Sequence, residues 1–376
     1  MRSAPPCDTD GRIAKLGVST LELRLTIPMR TVVFLVAAGC TFVLAGDLTA
    51  QWLPLSSGTD AELRGLSAPS RRVIWVSGTR GRYALSVDGG STWRVDSVPD
   101  ATTLDFRAVH AMDAGTALVM SAGDADRKQA RIYRTSDGGG HWTLAYATEQ
   151  KGVFFDALAF WDSRHGIAMS DPVDGRFFLV TTSDGGRTWI RVPPGKIPPA
   201  LPGEAAFAAS GTCLTVQGSS NVWIGTGGGA TARVYRSTDR GRTWSVAETP
   251  VHAGGSSSGI FSVAFRDARH GVVVGGDYQQ PKGAVPNVAL SDDGGSTWRL
   301  AKGPHPAGYL SAVAYVPATS TVVAVGLAGT ARSSDRGESW SLIDTVAYNS
   351  VRFVARDAGW AAGPRGRVAK WEGARK

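Results

Sequence analysis

The chain has 376 residues, of which 43% are hydrophobic and 19% charged, with 47 glycines, 12 tryptophans and a formal net charge of +8. The apolar fraction excludes a disordered protein, and the many glycines favour short strands joined by tight turns. The basic excess is moderate and lacks interleaved aromatic and basic runs, which argues against a nucleic-acid-binding protein.

The first 50 residues differ in character from the rest. A short basic start at Met29 precedes an apolar run and a small-residue exit that ends at Ala50. These are the parts of a secretory signal peptide, and the run is too short for a stable membrane span. We therefore predict a true start at Met29, cleavage after Ala50, and export to the periplasm or the extracellular space without a span in the mature chain. A weak lipobox ending at Cys40 leaves lipid anchoring as an alternative.

The cysteine content agrees with a protein that is not stabilised by disulfide bonds. Removal of residues 1–50 leaves Cys213 as the one cysteine of the sequence, so no intramolecular disulfide forms, and we interpret Cys213 as a core residue. No Cys or His spacing is typical of a zinc site, and the sequence predicts neither a metal nor a cofactor.

Six copies of one eight-residue motif, which we call boxes, occupy the rest of the chain. They read SVDGGSTW, TSDGGGHW, TSDGGRTW, STDRGRTW, SDDGGSTW and SSDRGESW, and their aspartates are 42 to 55 residues apart. Such a period suits one four-stranded blade of a propeller.

Each box predicts a tight turn between two strands. The Asp carboxylate can accept backbone N–H groups of its own turn, the glycines supply positive φ angles, and the Trp ring packs between sheets. We therefore predict structural roles for the Asp and Trp of every box: Asp88, Trp93, Asp137, Trp142, Asp184, Trp189, Asp239, Trp244, Asp293, Trp298, Asp335 and Trp340.

Two further strands precede each box, and residues 350–371 repeat the pattern without a box. Residues 51–55 resemble the strand that follows a box, so they supply the missing outer strand and close the ring. Closure removes sheet edges that invite aggregation. We predict an all-β, seven-bladed propeller over residues 51–371, with six blades as the alternative and a short tail at residues 372–376.

The box resembles the Asp-box, or BNR repeat, S-x-D-x-G-x-T-W, of sialidases, of the sortilin luminal domain and of the photosystem II assembly and stability factor family. In those families the box is a folding element on the rim away from the ligand face, which implies the same here. The resemblance to the photosystem II assembly factors extends over all seven blades. It implies a scaffold that contacts another protein.

Propeller topology places the boxes on one face and the loops between blades on the other. The longest loops of this chain lie on the second face, and insertions on one face of a repeat protein usually mark the binding face. Within those loops we predict ligand-face residues, with Glu204, Asp277 and Tyr278 as the first choice. The full set is Asp171, Asp174, Glu204, His252, Asp277, Tyr278, His305 and Tyr309.

The sequence therefore predicts an exported, monomeric, non-catalytic propeller that binds a protein. One alternative is a sialidase-like glycoside hydrolase with Glu204, Asp277 and Tyr278 in its active site. Sialidases resemble one another in an F/Y-R-I-P segment and an arginine triad, but the nearest string here, at Phe106, lacks the Pro, and no triad can be assigned. A glycan-binding propeller that uses Tyr278 and Tyr309 is the other alternative.

Overall fold

The computed structural model describes residues 52–373, which form seven four-stranded antiparallel sheets around a common axis. The expected signal peptide, the start at Met29, the cleavage after Ala50, the lipid anchor at Cys40 and residues 374–376 of the tail lie outside the described residues. Those expectations stay predictions.

The described chain consists of 28 short strands joined by turns and loops. In chain order the strands are β1 (Trp52–Ser56), β2 (Leu63–Ser67), β3 (Ile74–Gly78), β4 (Arg82–Ser86), β5 (Arg94–Ser97), β6 (Asp105–Ala111), β7 (Ala117–Ala122), β8 (Arg131–Thr135), β9 (Thr143–Ala147), β10 (Phe155–Phe160), β11 (Gly166–Val173), β12 (Arg176–Thr182), β13 (Ile190–Arg191), β14 (Leu214–Gln217), β15 (Asn221–Gly225), β16 (Arg233–Ser237), β17 (Ser245–Glu248), β18 (Ser258–Phe265), β19 (Gly271–Asp277), β20 (Val288–Ser291), β21 (Arg299–Leu300), β22 (Leu310–Tyr315), β23 (Val322–Gly326), β24 (Gly329–Ser333), β25 (Ser341–Asp344), β26 (Ser350–Ala355), β27 (Ala358–Ala362) and β28 (Arg367–Trp371). Two 3-10 helices, Ala125–Arg127 and Pro194–Lys196, lie in loops.

Blades 1 to 6 are meanders of consecutive strands, and blade 7 is built from both ends of the chain. Blade 1 is β2–β5, each following blade takes the next four strands, and blade 7 contains β26, β27, β28 and β1. Strand β1 is antiparallel to β28, with Trp52 opposite Trp371 and Ser56 opposite Arg367. The prediction of seven blades closed by the N-terminal strand is confirmed, and the six-bladed alternative is wrong.

Tryptophans in the second strands link neighbouring blades. Trp75, Trp223 and Trp360 are each at most 1% exposed. The indole N–H of Trp75 donates to the carbonyl of Asp113 at 3.1 Å, and that of Trp223 donates to Gly294 at 2.8 Å. Trp360 makes the same kind of bond, at 3.2 Å, to the box of blade 1. Each indole thus pairs a polar group that burial would otherwise leave unsatisfied, and each bond joins one blade to the next.

The boxes form closed hydrogen-bonded turns. In the first box Thr92 donates two hydrogen bonds to the carboxylate of Asp88, from its backbone N–H at 2.9 Å and from its side-chain hydroxyl at 2.6 Å. The hydroxyl of Ser86 donates a third at 2.8 Å. Gly90 has a φ of +95°, and its carbonyl accepts the indole N–H of Trp93 at 3.0 Å. The Asp bonds recur in all six boxes. The carboxylates are therefore engaged within their own turns.

Within residues 52–373, no helix is long and apolar enough to cross a membrane.

Candidate ligand site at the mouth of the channel

Five of the seven innermost strands carry a β-bulge close to the point where the strand begins. In β6, for example, Phe106 is opposite Ser121 and Ala108 is opposite Met120, so Arg107 is an extra residue without a partner. A bulge bends the strand and redirects the side chain of the extra residue. The extra residues in β2, β6, β10, β18 and β22 are Arg64, Arg107, Asp156, Phe261 and Ser311.

Four of these extra residues line one cavity of about 420 Å³, which we call the mouth cavity. The innermost strands begin at this face, and the boxes, between the third and fourth strands of a meander, lie at the opposite face. The fifth residue, Ser311, is 1% exposed and donates to the carbonyl of Asn349 at 2.8 Å. The mouth cavity is lined by Arg64, Arg107, Phe154, Asp156, Ala206, Phe207, Ala208, Ala209, Phe261, Tyr278, Tyr309, Leu327 and Asn349.

The connection from blade 3 to blade 4 crosses the channel below this cavity. We call residues 206–212 the plug. The guanidinium of Arg64, in blade 1, donates to the carbonyl of Ala209 at 3.2 Å. Ser210 donates to a carbonyl of blade 6 at 2.8 Å, and the hydroxyl of Thr212 lies 2.7 Å from that of Ser262 in blade 5. The plug therefore contacts blades on opposite sides of the ring, and it forms the floor of the mouth cavity.

Aromatic rings form one wall of the mouth cavity. Phe207 of the plug stacks on Phe261, with ring centroids 4.0 Å apart, and Tyr309 meets Phe261 edge-on at 4.7 Å. Tyr278 is 44% exposed and stands at the rim, 6.2 Å from Phe261. This wall offers apolar area with a phenol group at its edge, a surface that suits ligands with both apolar and polar parts.

The two arginines of the cavity already have carboxylate partners. The Nε of Arg107 lies 2.7 Å from a carboxylate oxygen of Asp105, and a terminal nitrogen of Arg64 lies 3.6 Å from Glu62. These pairs hold the guanidinium groups in place and still leave N–H donors for a ligand, because each guanidinium carries five.

Asp156 has a buried carboxylate oxygen without a partner in this cavity, as Arg64 has a buried Nε. It is 1% exposed, and its Oδ2 atom has no hydrogen bond. Burial, together with the nearby Asp171, raises the pKa of Asp156 well above the usual value. Burial also raises the pKa of Asp171 to about 6, and Asp171 accepts the backbone N–H of Ala206 in the plug at 2.8 Å. Asp156 is therefore a buried acid with unused hydrogen-bonding capacity.

Two of the eight ligand-face residues predicted from the sequence, Tyr278 and Tyr309, line the mouth cavity. Asp171 does not line it but accepts a hydrogen bond from the plug residue Ala206. Glu204 is 5% exposed and is paired with Arg233, whose Nε lies 3.0 Å from a carboxylate oxygen.

The other four predicted residues are not part of the cavity lining. Asp277 caps its own turn by accepting the N–H of Gln279 at 2.9 Å. Asp174 occupies an exposed turn with a φ of 53°. His252 and His305 are partly buried in the loops that follow β17 and β21. The structure therefore does not bring Glu204, Asp277 and Tyr278 together around one cavity.

Arg64, Arg107, Asp156 and Phe261 were not predicted from the sequence, because the long loops on one face point to loop residues instead. The sequence nevertheless contains a signal for these four positions. Each of these residues follows a buried apolar residue and precedes a small one, in the strings LRG, FRA, FDA and IFS. A large or charged residue that interrupts such a strand start, at the same place in several repeats, indicates a bulge that faces a ligand. No cluster of His, Cys, Asp or Glu able to hold a metal ion occurs within the described part of the chain.

Comparisons with known proteins return other β-propellers. YCF48 bound to a D1 peptide is 16% identical with a TM-score of 0.59, over 85% of this chain and 94% of that chain. YCF48 from Cyanidioschyzon merolae is 16% identical with a TM-score of 0.61, over 85% of this chain and 98% of that chain. The GH74 xyloglucanase from Xanthomonas campestris is 17% identical with a TM-score of 0.58, over 85% of this chain but 54% of that chain.

No protein-family model matches the sequence, and no curated protein does. At these identities the likeness shows the fold alone. The fold expected from the resemblance to photosystem II assembly factors is confirmed: the chain is a seven-bladed β-propeller whose structure is similar to that of YCF48.

Proposed function

We propose that this protein is an exported binding or assembly propeller, and that its mouth cavity receives a segment of a partner protein. The observation that carries this proposal is the convergence of four bulged residues on one cavity. The blades repeat one another in their boxes and their strand cores, but at the bulges they differ: two carry an arginine, one an aspartate and one a phenylalanine. Variation at one position of an otherwise repeated unit supports a recognition role.

The composition of the cavity supports a protein ligand. Aromatic residues and arginine are the side chains that contribute most to protein interfaces. A volume of about 420 Å³ accommodates a few side chains of a bound segment rather than a domain. YCF48, which has a similar fold, has been solved with a D1 peptide bound.

Site-specific photo-crosslinking in the native cell tests this proposal. In the test variant a photoreactive residue replaces Tyr278, which is 44% exposed at the rim. In the matched control it replaces Leu144, which is 47% exposed in the outer strand of blade 2. We expect one partner to crosslink from position 278 at a yield several-fold above that from position 144. Arg107→Met, which keeps the stem and removes the donors, is expected to lower that yield in a protein that still folds. Equal yields from both positions would place the partner elsewhere.

A glycan ligand is the second candidate, and one observation favours it. Asp156, whose pKa is raised, lines the same cavity as the aromatic rings of Phe207 and Phe261, and a carboxylic acid with a raised pKa is the proton donor that glycosidases use. Asp277, the acid predicted from the sequence for such an enzyme, accepts the N–H of Gln279, and Glu204, predicted to pair with a tyrosine as the nucleophile, is engaged by Arg233. Hydrolysis of any member of a broad glycoside panel that disappears in Asp156→Asn would replace the scaffold proposal with an enzyme.

Export is tested separately from binding. We propose cleavage after Ala50 and a monomeric mature protein. N-terminal sequencing of the protein from the envelope or the medium is expected to begin at Gln51, and light scattering is expected to give the mass of one chain. A lipid-modified N-terminus at Cys40 would instead establish membrane anchoring.

A further inference from the structure

A second cavity lies inside the channel, on the other side of the plug from the mouth cavity. It has a volume of about 250 Å³ and is lined by residues of all seven innermost strands together with Ser210, Gly211 and Thr212 of the plug. We call it the channel cavity. At the volume of about 30 Å³ that a water occupies in the liquid, this space holds several waters or one tetrahedral oxyanion with part of its hydration shell.

The channel cavity contains a cation without a counter-ion. Arg352, in β26, lines it, and within residues 52–373 its guanidinium makes no hydrogen bond and no ion pair. No carboxylate is among the residues that line the cavity in the described part of the chain. Arg352 is exposed to solvent within the cavity, and desolvation by the surrounding ring of strands lowers its pKa.

His110 lines the channel cavity together with Arg352 and is the second basic side chain there. Its ring stacks on Phe160, with centroids 4.8 Å apart. Burial, and secondarily the charge of Arg352, lower the pKa of His110 to about 3. The remaining titratable group of the lining is Tyr315, whose pKa is raised by burial. At neutral pH His110 is thus a neutral imidazole that lines the same cavity as the unpaired Arg352 guanidinium.

We propose that the channel cavity binds a small oxyanion, held by the Arg352 guanidinium with the His110 imidazole beside it. A planar guanidinium presents paired N–H donors that match two oxygens of a phosphate, sulfate or carboxylate group. An anion would supply the counter-ion that Arg352 lacks in the cavity, and its negative charge would favour the protonated form of His110, which has a second N–H donor. This proposal does not depend on the proposed function, because the plug separates the two cavities.

Thermal melting with inorganic anions tests the proposal. Phosphate, sulfate and acetate are added in the low millimolar range against chloride at matched ionic strength, so that general salt effects cancel. We expect phosphate and sulfate to raise the melting temperature of the wild type in a saturable manner, and acetate to do so if a carboxylate suffices. Arg352→Gln is expected to lose about tenfold or more in affinity, which is the loss typical of removing one partner of a charge-assisted pair.

Controls separate this site from adventitious binding. Arg242→Gln, at an exposed box position on the outer rim, makes the same charge change and is expected to keep the wild-type response. Arg352→Lys keeps the positive charge but lacks the paired N–H donors of the guanidinium. We expect phosphate and sulfate to raise its melting temperature only weakly. Equal stabilisation of the wild type and Arg352→Gln would overturn the proposal.

A measurement on the wild type alone keeps the proposal testable if the Arg352 variants fail to fold. The ring nitrogens of His110 are followed by nuclear magnetic resonance, with sulfate as the anion because its charge is constant over the range used. We expect the pKa of His110 to rise on addition of sulfate, since an anion favours the imidazolium. An unchanged His110 titration at saturating sulfate would refute an anion beside it.

Discussion

At the scale of single residues, Asp156 combines a cost to stability with a place in the mouth cavity. The side chain is 1% exposed and has an unpaired oxygen. An ordinary core position would hold an apolar residue, because an unsatisfied buried polar group destabilises the fold. A residue that keeps such a cost indicates a role other than folding. Glu204 differs, because its buried carboxylate is satisfied by Arg233 and by the N–H of Leu201 at 2.8 Å.

Asp156→Asn is expected to stabilise the protein at neutral pH and not in acid. The pKa of Asp156 is raised in the fold above its usual value of 3.8, so the protonated form is the one that the fold favours. The contribution of Asp156 to the free energy of unfolding is therefore most favourable below about pH 4. Above that pH it falls by up to about 1.4 kcal/mol per pH unit, until the pH exceeds the pKa of Asp156 in the folded protein. Asn carries no charge and avoids this loss.

Chemical unfolding of the wild type and Asp156→Asn at pH 4 and pH 7.5 measures the effect. We expect the variant to be more stable at pH 7.5 and equal to the wild type at pH 4. A variant that is less stable at both values would show that Asp156 is ionised and paired in the fold.

At the scale of elements, the boxes and the bulges act at opposite ends of a blade. A box closes the turn between the third and fourth strands with bonds that stay within eight residues. A bulge, near the start of the first strand, breaks the alternation of the strand and turns one side chain toward the mouth cavity. The first device repeats because every blade needs the same turn, and the second varies because a ligand site needs different chemistry from each blade.

Asp239→Ala is expected to destabilise the protein by about 1 to 2 kcal/mol at pH 7 and to leave crosslinking from position 278 unchanged. The carboxylate accepts the N–H groups of Arg242 and Thr243, both at 2.9 Å, and the change leaves them without that partner. Burial alone would raise the pKa of Asp239, but the bonds from Thr243 and Ser237 outweigh it and lower the pKa. Because the folded pKa is lowered, this stabilisation is complete above the unfolded value of 3.8 and is lost as the pH falls through the folded pKa.

Denaturant melts at pH 7 and pH 2.5 check this prediction, with Asp126→Ala, an exposed aspartate of a 3-10 helix, as the control. The difference from the wild type is expected to shrink in acid. Lost crosslinking with unchanged melting would assign the box to ligand binding instead.

At the scale of the whole molecule, closure of the ring depends on five residues at its N-terminal end. Strand β1 covers the edge of β28 along its whole length. Trp52 packs against Trp371 at 5.0 Å and against Phe353 at 6.2 Å, and its indole N–H donates to Thr330 of blade 6 at 3.0 Å. One residue thus joins the strand to its own blade and to the preceding one.

Trp52→Ala is expected to cost about 3 to 5 kcal/mol, the range typical of emptying a large buried aromatic site. Trp52 is 2% exposed, whereas the neighbouring Leu53 is 45% exposed, so Leu53→Ala is the matched control and is expected to stay within about 0.5 kcal/mol of the wild type. Differential scanning calorimetry measures both. A wild-type transition in Trp52→Ala would mean that the last blade holds without its outer strand.

The sequence by itself determined the number of blades, the turn in each box and the closure of the ring, because these depend on local patterns that repeat about once per blade. It did not determine the candidate site. A bulge shifts register by one residue and sends a side chain to the other face, and that shift becomes visible only when the partner strand is in place. The plug depends on contacts between distant parts of the chain, such as Arg64 with Ala209, 145 residues apart. The tertiary structure alone brought these residues together, since the ring sets which strand starts meet at the axis.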